Sequence, residues 1–93
     1  MNAYEHLLNW AADRGLHIWV DDVNCHDDPS KAKQQIEGTD DQCLVMLLHN
    51  SIPFGTAWAM TSPEHEPEET VIDYSSSLTG CMEEYYHQRS TSA

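Results

Sequence analysis

Basic residues are scarce in this chain. Four Lys and Arg stand against sixteen Asp and Glu, and the formal net charge is -12. Direct binding to nucleic acid or to an anionic membrane needs a surplus of Lys and Arg, so both are excluded as expected partners. Cysteine is nearly as sparse. Cys25, Cys43 and Cys81 are odd in number, widely spaced and without a CxxC pair, which fits neither a disulfide framework nor a structural zinc site. The four glycines are dispersed, so no glycine-rich loop is available to cradle a phosphate, and neither GxSxG nor HExxH occurs. No apolar run approaches the roughly 18 residues that span a bilayer. The first ten residues, MNAYEHLLNW, place Glu5 where a secretion signal wants Lys or Arg. These absences lead to the expectation of a cytoplasmic, non-enzymatic protein with reduced thiols and no cofactor.

What remains is enough for a core. The chain has 93 residues, 40% of them apolar, with three Trp, four Tyr and one Phe. That is room for one domain, residues 1–93, with large aromatic surfaces to bury. Residues 2–14 read as a helix, because Tyr4, Leu7, Leu8 and Ala11 share one helical face. Asn2 with Glu5 makes a capping box and Gly15 a C-terminal stop. Leu16 to Val20 alternates as a strand. Asp28-Pro29 is a helix start, and Pro29 to Glu37 a short helix stopped at Gly38. Cys43 to Leu48 (CLVMLL) is a continuous apolar run, which predicts a central strand buried on both faces. Pro53 and Gly55 punctuate a loop before a second strand, Thr56 to Thr61, paired with the first as a hairpin. Residues 62–69, SPEHEPEE, read as an exposed loop. Thr70 to Tyr74 is a further strand. Ser75 to Ser77 offer caps for a last helix, roughly 77–88, whose face is Leu78, Cys81, Met82 and Tyr85; the terminal RSTSA is expected to fray. The predicted fold is α+β in the order α-β-α-β-β-β-α. It has a mainly antiparallel sheet of three to four strands, packed by two or three helices on one face.

The stretch DDVNCHDDP, residues 21–29, draws attention as a metal site. Cys25 and His26 are legal ligands, but adjacent residues rarely converge on one ion. Asp22 and Asn24 start like a calcium loop, yet Asp27 stands where its glycine belongs and Lys33 where its bidentate glutamate belongs. The acids read better as a surface. They cluster as Asp21-Asp22, Asp27-Asp28, Asp40-Asp41, Glu64-Glu66-Glu68-Glu69 and Glu83-Glu84, mostly in loops or at element ends. A rigid protein with carboxylates at phosphate-like spacing can occupy a basic groove and exclude nucleic acid from it.

In composition alone the chain resembles the small acidic proteins of phages and plasmids that block host restriction, CRISPR or polymerase machinery. The expected partner is therefore the basic surface of a nucleic-acid-binding protein, in the host cytoplasm if the chain is phage-encoded. The candidate contact residues are Asp21, Asp22, Asp27, Asp40, Asp41, Glu64, Glu66, Glu68, Glu69 and, as an apolar anchor, Trp19. Two alternatives stand beside this one. The first is a regulatory interaction domain whose acidity serves solubility and whose apolar patch, around Trp19 or Tyr85-Tyr86, takes a partner or makes a homodimer. The second is a metal-binding module built on Cys25 and His26.

Overall fold

The computed structural model describes residues 2–39, 41–61, 66 and 69–91, the last three through their backbone only. Helix α1 covers Ala3–Asp13 and begins with the anticipated capping box. The Asn2 side chain accepts from the Glu5 amide (2.9 Å), and the Glu5 carboxylate accepts from the Asn2 amide (3.3 Å). It ends in a Schellman motif: Gly15, at φ +70°, lets its own amide reach Ala12 and the Leu16 amide reach Ala11.

Strand β1 (His17–Val20) turns directly into a short strand, β2 (Val23–Asn24). Val20 pairs with Val23, and the two residues between them, Asp21 and Asp22, both have positive φ. That is the backbone of a type I′ hairpin turn, which an Asp-Asp pair does not announce in the way Asn-Gly does. The strand-to-helix loop expected here is therefore partly a hairpin. Helix α2 spans Pro29–Glu37 with Asp28 as its cap and Gly38 at its end, as anticipated. Its buried residues are Ala32 and Ile36.

The centre of the sheet is β3 (Gln42–His49), joined through Asn50-Ser51 to β4 (Ile52–Met60). Both turn residues again have positive φ. Pro53 and Gly55 belong to β4 rather than to a loop. The ladder slips between Leu47 and Leu48, so that Leu47 faces Gly55 and Leu48 faces Pro53. Phe54 is the extra residue of that bulge, and its ring lies 6.1 Å from that of Trp10 on α1. Strand β5 (Val71–Ile72) adds the last edge, and the sheet order is β2-β1-β3-β4-β5, antiparallel throughout. A single 3-10 turn, Ser76–Leu78, leads into α3 (Thr79–Thr91). Ser75 caps that turn without a side-chain bond. Its hydroxyl instead accepts from the Thr56 amide (3.1 Å), while the Ser77 hydroxyl donates to the Phe54 carbonyl (2.7 Å).

The fold is α+β in the expected order, with two-residue edge strands widening the sheet to five. The three described helices all lie on one face. Leu7, Leu8, Ile36, Leu78 and Met82 share a single core with Ile18, Val20, Val45, Leu47 and Val71. Two bonds tie α1 to α2: the Tyr4 hydroxyl donates to Glu37 (3.0 Å), and Lys33 pairs with Glu5 (3.2 Å). The expectation for β3 needs correction. Cys43, Val45 and Leu47 are fully buried, but Leu44, Met46 and Leu48 on the other face are only half-buried, because no described helix covers that side.

Candidate functional site

Pairing of the strands decides which acids meet. Strand β1 ends beside the start of β3, since Val20 faces Val45. The Asp21 amide donates to the Leu44 carbonyl (2.9 Å), and the Asp21 carboxylate accepts from the Leu44 amide (2.9 Å). Asp21 thus extends the β1–β3 ladder with its side chain, and Asp22 follows it in the same turn. At the same end Asp41 precedes β3, and its carbonyl accepts both the amide (2.8 Å) and the hydroxyl (3.1 Å) of Thr61. The β4–β5 connection leaves from there. It returns through Glu66 and Glu69, whose amide donates to the Glu66 carbonyl (2.8 Å), and through Thr70, whose carbonyl accepts the Met60 amide (2.7 Å). Asp21, Asp22, Asp41, Glu66 and Glu69 are all exposed and belong to one end of the sheet.

Asp27 does not join them. Strand β2 runs antiparallel to β1, and the chain continues until the Ile18 amide donates to the His26 carbonyl (2.7 Å). Asp27 therefore lies towards the opposite end, next to the α2 cap. Asp40, Glu64 and Glu68 lie outside the described residues. Trp19 sits on the face away from the helices, across from Met46 and Asn24.

The charge distribution around this end is one-sided. None of the five strands contains Asp, Glu, Lys or Arg. The four bases, Arg14, Lys31, Lys33 and Arg89, fall on the helices or their ends. Lys33 is engaged by Glu5, and the Arg14 guanidinium stacks 4.0 Å from the centre of the Trp10 ring.

The Cys-His pair that suggested metal points two ways. Cys25 is fully buried, whereas His26 is exposed and lies beside His17, ring centres 6.1 Å apart. Burial raises the Cys25 thiol pKa, and raises Cys43 to about 11 and Cys81 to about 12. Such thiols are poor nucleophiles and poor ligands. Among the described residues no group of three His, Cys, Asp or Glu is placed to hold an ion. Two shallow grooves flank α1. One is shared with α2 (Glu5, Asn9, Pro29, Ser30, Lys33) and one with α3 (His6, Trp10, Arg14, Glu84). No described helix is long and apolar enough to cross a membrane.

Sequence reasoning reached the uncovered face only at Trp19, offered as an apolar anchor or patch, and took β3 as covered on both sides. The signal for that face was the unbroken apolar run CLVMLL together with Trp58, which sits opposite Leu44. Compared with family models, curated proteins and solved structures, the chain matches none of them.

Proposed function

We propose that this chain is a non-enzymatic acidic binding protein. It occupies the basic groove of a nucleic-acid-handling protein and so inhibits it, a DNA mimic of the anti-restriction or anti-CRISPR kind. The observation that carries the reading is the gathering of Asp21, Asp22, Asp41, Glu66 and Glu69 at one end of a sheet whose strands hold no base. Asp21 is held to the β1–β3 ladder by its own carboxylate, so little ordering cost is met there on binding. A basic groove offers them what it offers phosphates: many charge-assisted contacts and steered association.

The test is competition. Labelled duplex DNA is bound in turn to a restriction endonuclease, a CRISPR effector and an RNA polymerase, and the protein is added at low salt while anisotropy is followed. Release of DNA from one of them, weakening steeply as salt rises, is the expected result. DNA retained by all three, or displacement indifferent to salt, counts against the reading.

A further inference from the structure

Helices cover one side of the sheet, and the other side is apolar at its centre, with His17, Asn24, Gln42 and Thr56 around it. On the open side Trp19, Leu44, Met46, Leu48, Trp58 and Ile72 form a contiguous surface. Trp19 faces Met46, Leu44 faces Trp58, and Trp58 faces Ile72, which is 36% exposed. A strand that is apolar at every position, as β3 is from Cys43 to Leu48, is the pattern of a strand covered on both faces. Among the described residues this chain supplies only one cover.

We infer that a second copy of this chain docks on the open face, giving a four-layer dimer with helices outside and two sheets stacked within. Area and charge both favour this occupant. The five strands contain 25 residues (4, 2, 8, 9 and 2). At about 3.4 Å per residue and about 4.8 Å between strands, they tile a face of about 400 Å² in projection. Two such faces bury about 800 Å² in projection, the size of a weak, reversible interface. A basic partner would find nothing to pair with on this face, because the strands carry no acid. Two copies meet neutral on neutral. The five acids gathered at the sheet end of each copy stay outside the contact, and the opposite end carries His17, His26 and His49, with Asp27 and Asp28 beside His26. A two-fold axis lying across the strands sets each acidic end beside the other copy's histidine end, which keeps the two five-acid clusters apart.

This inference is independent of groove binding, and salt separates the two. Screening weakens the repulsion between two bodies of charge -12, so dimerisation strengthens as salt rises, whereas groove binding weakens. Sedimentation equilibrium of the full chain across concentration and salt should give twice the monomer mass, with tighter association at high salt. Trp58→Glu and, separately, Met46→Glu should each weaken association at least about a hundredfold, since each buries an unpaired charge. The measurement that avoids misfolded variants uses Trp10→Phe, which leaves Trp19 and Trp58 as the only indoles. Acrylamide quenching of that protein should fall as its concentration rises through the dimerisation range. A monomer at every salt and concentration, with quenching independent of concentration, overturns the proposal. So does a dimer that both Glu variants leave intact.

Discussion

At Cys43 and Cys81 the loss of solvent around sulfur raises the thiol pKa to about 11 and about 12. Burial is the first cause at both, reinforced by the charge of Asp21 at Cys43 and of Glu84 at Cys81. Cys25 moves the same way, again through burial. With three thiols neutral and out of reach, the native protein at mild alkaline pH should release almost no chromophore from a disulfide reagent. Three equivalents should react after denaturation. A fast-reacting equivalent in the native state would contradict the burial described. Glu5 behaves differently. Partial burial pushes its carboxyl up, but the Asn2 amide and the Lys33 ammonium together outweigh that and hold the pKa below the ordinary 4.5. A depressed acid stabilises the fold above its unfolded value and loses that contribution as pH falls through the folded one. Glu5→Gln keeps an acceptor for the Asn2 amide and removes the ion pair. It should therefore cost a few tenths to about 1 kcal/mol at neutral pH. The gap to the parent in denaturant midpoint should close below about pH 4. A gap constant with pH would assign the loss to packing instead.

At the scale of elements, the periodic and capped segments were legible from sequence and the turns were not. Helix α2 was readable to the residue, because Asp28-Pro29 and Gly38 are local signals that work without tertiary help. The hairpin at Asp21-Asp22 was hidden, since its left-handed backbone is held by tertiary bonds to Leu44 rather than by a turn-forming glycine. Gly55 was misread as a loop residue for a similar reason. Its role depends on Ser75 and Ser77, twenty or more positions away. A Cβ on Gly55 would stand 2.6 Å from the Ser77 hydroxyl, 2.9 Å from the Ser75 hydroxyl and 3.0 Å from Leu78. Those hydroxyls bond each other (3.0 Å) and hold the backbone of Phe54 and Thr56, so neither moves without breaking a bond. Gly55→Ala should destabilise by about 1–3 kcal/mol through overpacking and lost hydrogen bonds. Ser77→Ala in the same background should recover part of that loss, because it removes the oxygen in closest conflict. Thermal melts of the two variants and the double variant test this. An unchanged midpoint for Gly55→Ala would show that the serine clamp is not rigid.

For the molecule as a whole, the question is whether its acidity is directed or merely abundant, and position separates the two. Neutralising Asp22, Asp41 and Glu66 as Asn, Asn and Gln removes three charges from the acidic sheet end. Asp21 is spared because its carboxylate holds the Leu44 amide. Neutralising Asp13, Asp27 and Glu83 removes three charges from exposed sites on α1, the α2 approach and α3. Both triples lower the net charge equally, so both relieve self-repulsion and should raise the denaturation midpoint modestly at low salt, the gain fading as salt is added. Association with a basic groove should respond to only one of them. If groove contacts are made by the sheet end, the first triple should lower affinity by about tenfold or more, at roughly 0.5–1 kcal/mol per lost contact. It should also flatten the slope of log affinity against log salt by about three contacts. The second triple should leave the slope unchanged and reduce only the rate of encounter. Equal losses from both triples would mean that the partner senses net charge alone, and the arrangement of acids at the sheet end would then have no part in recognition.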